Sequence, residues 1–263
     1  MSHNVFTKTL WDARRSLLGW SIGTTLVALM YASFFPSMSG GAMDDALKSL
    51  PEALKEGFHL DDLGSAAGYL GANTFGIVVP LLVLFFGAST GARAIAGDEE
   101  SGQLDLLLAH PVSRTSLVLQ RFGALAAGST GIAVLVLGGL TAIRKTAQLT
   151  AVSVTDLAAQ CLNLALLGIV FGALALCAGG IVGRRGLVFA ATAAVGVLSY
   201  AANSFGPQLG LGWAQKMSPF YYYLGGAPLK NGFQWGDAGI LAAASLVLVG
   251  IGLWVFNRRD INT

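Results

Sequence analysis

The sequence predicts an all-α integral membrane protein with six transmembrane helices, an N-terminal amphipathic interfacial helix, and short interfacial or re-entrant helices before the last span. Of its 263 residues, 54% are hydrophobic and 11% are charged, whereas soluble domains carry about 25% charged residues. The mean hydropathy of +0.65 excludes a disordered chain, which would be poor in apolar residues. The 35 glycines are typical of membrane helices that pack through small residues.

Six uncharged stretches are long enough to cross a bilayer, for which a helix needs about 20 residues. They comprise residues 17–35, 69–92, 122–142, 157–182, 187–205 and 238–256. We therefore expect residues 17–263 to form one six-span domain. The first stretch follows Arg14 and Arg15, as a signal peptide would, but it is longer than the apolar core of such a peptide. We expect it to be retained as a span.

The basic residues predict the orientation, because cytoplasmic loops carry an excess of Lys and Arg. With both termini in the cytoplasm, the inner segments hold ten basic residues and the outer loops hold six. The inner set is Lys8, Arg14, Arg15, Arg93, Arg114, Arg121, Arg184, Arg185, Arg258 and Arg259. We expect a multi-pass protein of the plasma membrane with both termini cytoplasmic.

Residues 1–16 have the pattern of an amphipathic helix that lies in the membrane interface. Phe6, Leu10, Ala13 and Leu17 recur at helical spacing, and charged residues occupy another face. The candidate interfacial residues are Phe6, Leu10, Arg14 and Arg15. The alternative is a short basic anchor that only sets the topology.

The inner loop at 96–121 reads AGDEESGQLDLLLAHPVSRTSLVLQR. The three acids from Asp98 to Glu100 predict the start of a short helix, since carboxylates are favoured at helix N-termini. His110 and Pro111 would end it. Its leucines make an apolar face suited to docking a cytosolic partner. The candidate contact residues are Glu99, Glu100, Leu104, Leu107, Leu108 and Arg114.

The outer segment at 206–237 contains three prolines, Pro207, Pro219 and Pro228, which exclude one long helix. Its tyrosines and tryptophans suit the headgroup level. We expect short interfacial or re-entrant helices there. Its aromatic side chains would either contact a substrate or form a belt that only holds the last span in place.

No motif in the chain indicates catalysis, a metal or a bound cofactor. The sequence at 87–91, GASTG, matches the serine hydrolase pattern, but the three histidines lie outside the spans, so we expect close helix packing instead. No lysine occurs in a P-loop motif. The net charge of +2 gives no reason to expect nucleic acid. The two cysteines, Cys161 and Cys177, are about 24 Å apart along a helix and cannot form a disulfide.

The predicted spans contain no ionisable residue at depth, unlike many ion-coupled carriers. The strongest polar groups are Asn73, Asn163 and Asn203, which would either line a polar pathway or bond between helices. The pairs Gly19/Gly23, Gly168/Gly172 and Gly179/Gly183 could allow helices to approach closely. A membrane domain with a docking loop and no energy source of its own is typical of one part of a larger machine.

Residues 97–114, GDEESGQLDLLLAHPVSR, resemble the permease subunits of type-2 ATP-binding-cassette (ABC) exporters, in the short six-span bacterial branch. SPFYYYL at 218–224 is similar to that branch as well. The resemblance implies that two such permeases, identical or paralogous, pair and that each binds a cytosolic ABC ATPase carrying ATP and Mg. The N-terminal helix and the inner loop would contact that ATPase. The substrate stays open, and the alternative is a non-transporting scaffold or sensor subunit.

Overall fold

The computed structural model describes residues 5–38, 62–102 and 113–258, and every regular element within these ranges is a helix. Six helices are long and apolar enough to cross a membrane, which confirms the predicted fold class. They are α1 (Val5–Ser33), α3 (Ala66–Glu100), α4 (Arg114–Ile143), α5 (Val154–Val182), α6 (Arg185–Phe205) and α10 (Trp235–Arg258). The four short helices are α2 (Phe35–Met38), α7 (Gly212–Met217), α8 (Pro219–Leu224) and α9 (Pro228–Asn231).

Helix α1 joins the predicted interfacial segment to the first span. The sequence predicts two units that meet at residues 16 and 17, yet α1 runs without interruption through this point. No proline occurs between Val5 and Ser33, and the glycines in this range are single residues. A helix that has already begun therefore continues, because elongation adds a hydrogen bond for each further residue fixed.

Helix α3 contains two π-helical segments, Leu70–Val78 and Arg93–Gly97. In a π-helix each N–H bonds to the carbonyl five residues back, as the Val79 N–H does to Thr74. The second segment carries the helix beyond the predicted end of the span at residue 92. We refer to these stretches as the first and second π segments.

Helix α5 lies at the centre of the bundle and packs against α3, α4, α6 and α10. Gly87 and Gly91 of α3 face Gly168 and Gly172 of α5. A Cβ atom on Gly87 would come within 3.0 Å of the Gly172 nitrogen and closer still to the Gly168 carbonyl. The predicted packing roles of the GASTG stretch and of the Gly168/Gly172 pair are confirmed. Among the described residues no atom lies within 4 Å of a Cβ at Gly19 or Gly23, so this pair does not pack against another described helix of the same chain.

The short helices before α10 form the predicted irregular outer segment. Ser218 begins α8 by accepting a hydrogen bond from the Phe220 N–H at 3.1 Å. The rings of Phe220 and Tyr223 are fully buried and contact each other edge to face. This packing fixes α8 inside the bundle, which an aromatic belt alone would not require.

The bundle has two chemically different ends. The basic end comprises residues 5–16, 93–102, 113–121, 182–186 and 254–258. The opposite end comprises residues 29–38, 62–74, 141–156 and 203–237. Most arginines of the described residues lie at the basic end, including Arg93, Arg114 and Arg185.

Candidate functional site at the basic end

The three acids from Asp98 to Glu100 end helix α3 and do not begin a new one. The Ser101 N–H bonds back to the Gly97 carbonyl at 3.2 Å, and Gly102 then turns the chain with a φ of +69°. The prediction of a helix start is wrong because the second π segment extends α3 to these residues. Carboxylates at a helix C-terminus oppose the helix dipole, so their stabilisation has to come from neighbouring helices.

Asp98 forms an ion pair with Arg121 of α4. Both side chains are largely shielded, with 14% of Asp98 and 12% of Arg121 exposed. The Arg121 guanidinium also donates from Nη1 to the Ala94 carbonyl oxygen at 2.8 Å. Ala94 belongs to the second π segment, so one guanidinium joins both the widened turn and the acidic end of α3 to α4.

Glu100 connects α3 to the start of α6. Its Oε2 accepts a hydrogen bond from the Arg185 backbone N–H at 3.1 Å, where a carboxylate suits the positive end of the α6 dipole. Glu99 lies against Gly183, the left-handed residue that ends α5 with a φ of +66°. A Cβ on Gly183 would lie 2.8 Å from Glu99 Oε1. The structure therefore places these two predicted contact residues at the α5–α6 connection.

Arg114 lies at the first turn of α4 and contacts the end of α10. Its Nη1 donates to the Phe256 carbonyl oxygen at 3.1 Å, and its guanidinium lies 5.6 Å from the Phe256 ring centre. A cation at a helix C-terminus is favourable. The predicted residues Leu104, Leu107 and Leu108 lie outside the described residues.

The N-terminal residues are attached to α4. The Phe6 N–H donates to Gln120 Oε1 at 3.0 Å, and the Phe6 ring borders Gly123, where a Cβ would be 3.5 Å from the ring. Leu10 is half-buried and Arg15 is exposed. Arg14 covers the Trp11 ring at 4.2 Å. Of the predicted interfacial residues, Phe6 thus packs within the bundle and the two arginines point away from it.

The three predicted asparagines are not brought together. Asn73 donates to the Tyr69 carbonyl of its own helix at 3.2 Å, whereas Asn163 donates to the Tyr223 carbonyl of α8 at 3.3 Å. Asn203 is buried near the end of α6. Asn163 therefore bonds between helices, as one of the two predicted roles requires.

Arg121 is a functional residue of this site that is absent from the candidate contact residues of the inner loop. A signal was present, because Arg121 lies four residues after Leu117 and four before Leu125, and both leucines are buried. A charge on the buried face of an amphipathic helix implies a partner of opposite charge. The sequence alone does not identify Asp98 as that partner, since the choice depends on which helices are neighbours.

Comparison with known proteins identifies the class of this bundle. Curated protein sequences give no match to the chain. A family model described as "Multidrug efflux system permease Rv1217c, C-terminal domain" matches residues 9–257. The match spans all six long helices and supports a membrane permease that functions in efflux. The chain belongs to this family of multidrug efflux permeases.

Proposed function

We propose that the chain is the permease subunit of an ATP-driven ABC exporter. It forms the translocation pathway with a second six-span subunit, and two cytosolic ATPase subunits carry ATP and Mg. Membership in an efflux permease family supports this proposal, as do six apolar helices and the lack of a P-loop lysine motif in the sequence. The basic end faces the cytoplasm in this arrangement, in keeping with the positive-inside rule.

The main structural support is the bonding of the α3 end to two other spans. Asp98 pairs with Arg121 of α4, and Glu100 accepts from the Arg185 N–H of α6. The loop at 103–112 connects this end of α3 to the start of α4. A force that an ATPase applies to the loop would therefore act on three spans together.

The predicted contact residues divide into two roles under this proposal. Leu104, Leu107 and Leu108 supply the apolar anchor for the ATPase, because a few buried apolar side chains provide most of the affinity of an interface. Glu99, Glu100 and Arg114 transmit the movement, since Glu100 and Arg114 are bonded to neighbouring helices and Glu99 lies against Gly183 at the end of α5. The cargo that we propose is an amphipathic or apolar compound, in keeping with the multidrug description of the matched family.

Inverted membrane vesicles that contain the chain and its ATPase test this function. We expect ATP-dependent uptake of a fluorescent amphipathic drug, and no uptake when the P-loop lysine of the ATPase is replaced. L107A with L108A should abolish uptake and weaken association with the ATPase by at least about 30-fold, since one buried anchor contributes about 2 kcal/mol. The matched control is L198A with L246A, two leucines that are 68% and 64% exposed, and it should keep both properties.

Two outcomes would contradict the proposal. ATPase association without ATP-dependent uptake would favour a scaffold or sensor subunit. Specific ATP binding by the chain alone would exclude a permease that depends on a partner for energy.

The predicted membrane orientation is tested separately. Cysteines introduced at Ser2, Ser113 and Asn262 should be shielded from impermeant external reagents in intact cells. A cysteine at Ser49 should be labelled.

A further inference from the structure

A cavity of about 640 Å³ opens at the basic end between α1, α3, α4 and the start of α6. Its rim is charged, and its floor is formed by apolar or uncharged residues that include Leu17, Phe86 and Ala94. Phe86 and Ala94 are buried. A single ligand could therefore bind with a polar group at the entrance of the cavity and an apolar group in its interior.

The charges around this cavity have a basic excess. Its lining carries Lys8, Asp12, Arg93, Asp98, Arg121 and Arg185. Asp98 and Arg121 neutralise each other, and Asp12 lies one helical turn from Lys8. Arg93 and Arg185 are the other two arginines of the lining. No side-chain ion pair joins either to an acid within residues 5–38, 62–102 and 113–258, since the nearby Glu100 carboxylate accepts from the Arg185 backbone N–H.

Arg93 and Arg185 lie close together although they come from different helices. Both border Gly97, where a Cβ would be 3.7 Å from the Arg93 Cβ and 3.5 Å from the Arg185 Cδ. Their guanidinium groups repel each other. An anion placed between them would relieve this repulsion and accept charge-assisted hydrogen bonds from both.

A groove continues from the cavity along the surface of α1 and α3. It has a volume of about 420 Å³ and is lined by Ser16, Gly19, Trp20, Gly23 and Leu82. Ser16 also lines the cavity, so both spaces border this residue. Gly19 and Gly23 leave the groove open, because no described atom lies within 4 Å of a Cβ at either position. The groove is shallow and mostly apolar, so a hydrocarbon chain could lie along it.

We propose that this cavity is a binding site for an anionic amphiphile, with a phosphate or carboxylate head between Arg93 and Arg185 and its hydrocarbon chain running past Ser16 into the groove. The site goes beyond the proposed transport function, because it binds such a molecule whether the molecule is cargo or a resident lipid. Arginine favours this head because its planar guanidinium matches phosphate and carboxylate oxygens.

Binding of radiolabelled dodecyl phosphate to the purified chain in phosphatidylcholine nanodiscs tests the proposal without any ATPase. We expect saturable binding that falls at least about tenfold when R93Q and R185Q are combined, since hydrogen bonds to charged groups are lost. The matched control is R184Q with R258Q, which removes the same charge from two exposed residues at the same end that do not line the cavity. It should leave the affinity unchanged.

A second variant distinguishes binding of the ligand's head group from binding of its hydrocarbon chain. S16W blocks the junction of the cavity and the groove, so it should weaken dodecyl phosphate at least about tenfold but leave butyl phosphate unaffected. Equal losses in the R93Q/R185Q and control pairs would show a non-specific charge effect and overturn the proposal. Equally tight binding of dodecyltrimethylammonium would overturn it as well.

Two further arms distinguish the sources of the ligand. If phosphatidylglycerol in the nanodisc competes with dodecyl phosphate for the unchanged chain, and phosphatidylcholine does not, the site holds an anionic membrane lipid. If phosphatidylglycerol does not compete and dodecyl phosphate still binds, the site takes free single-chain amphiphiles. Competition by inorganic phosphate alone, as strong as that of dodecyl phosphate, would contradict a role for the chain-binding groove.

Discussion

The two π segments of α3 show how differently the two ends of the bundle are held. In the first segment the Phe75 carbonyl accepts a hydrogen bond from the Tyr223 hydroxyl at 3.0 Å. In the second the Ala94 carbonyl accepts from Arg121 at 2.8 Å. In each widened segment, therefore, a side chain from another helix donates a hydrogen bond to a backbone carbonyl. The two donors differ in charge and in surroundings.

Tyr223 is neutral and fully buried, and the rings of Phe220 and Phe171 pack behind it. Arg121 is charged, and its ion pair borders the cavity at the basic end. A buried neutral bond is shielded from water, whereas an ion pair at a cavity wall can be exchanged for other charges or water. The opposite end is therefore held more rigidly, whereas the contacts at the basic end can be exchanged.

The largest effect is expected from R121M, which leaves Asp98 without its cation. Removing one partner of a shielded ion pair destabilises by about 3–5 kcal/mol, so the melting temperature of the purified chain in detergent should fall strongly. Adding D98L should recover much of the loss, because no unpaired charge then remains. A double variant as unstable as R121M would show that the ion pair is not the cause.

Y223F should have the next largest effect. It keeps the ring but leaves the Phe75 carbonyl unsatisfied, which costs about 1–3 kcal/mol when the carbonyl is buried. The same thermal measurement should show a clear decrease. Y222F on the adjacent, partly exposed residue is the control and should change the melting temperature little. Equal decreases in the melting temperatures of both variants would show that the bond from the Tyr223 hydroxyl to the Phe75 carbonyl has no special stabilising role.

R114Q should have a smaller effect of about 1 kcal/mol, since it removes a cation from the C-terminal end of α10. The loss should shrink as salt is raised, because the guanidinium lies near the water boundary and salt screens its charge. R184Q is the control, with the same charge change and no bond to α10. A decrease for R114Q that is independent of salt would indicate lost packing on Phe256 instead.

The smallest effect is expected from K230M at the opposite end. Lys230 forms an ion pair with Asp62 at 2.6 Å, and both side chains are about half exposed. Hydrogen bonds from Lys230 and Ser65 lower the pKa of Asp62. Such surface pairs contribute about 1 kcal/mol or less. Because the folded-state pKa is lowered, this contribution is present above the ordinary carboxyl pKa and disappears as the pH falls through the lowered value.

The melting temperatures of K230M and the unchanged chain should therefore differ slightly at pH 7 and converge in acid. Thermal scans across a pH series measure this directly. A difference that persists below the pKa of Asp62 would contradict an ionic origin.

The sequence predicts the spans well because hydropathy is a local property. Residues 157–182 and 187–205 agree with α5 and α6 to within a few residues. The direction of the Asp98–Glu100 helix could not be predicted in this way. From the helix dipole alone, these acids are expected at the start of a helix. In the fold they lie at a helix end, where Arg121 and the Arg185 N–H, both distant in the sequence, stabilise Asp98 and Glu100.

The candidate site was predicted only in part for the same reason. Glu99, Glu100 and Arg114 do lie at one end of the bundle, as the loop pattern indicates. Their bonds to the α5–α6 connection and to α10 depend on tertiary neighbours. The π segments have no hydropathy signal, because one additional residue in a turn leaves an apolar run apolar.

The unbroken course of α1 makes it a stiff rod. Its 29 residues extend about 43 Å at 1.5 Å per residue, well beyond a hydrocarbon core of about 30 Å. If α1 moves as one rigid body, a displacement of Phe6 at one tip would also displace Tyr31 near the other. The Tyr31 carbonyl accepts a hydrogen bond from the Tyr69 hydroxyl at 3.0 Å, so that contact would pass the movement to the beginning of α3, a full membrane thickness away.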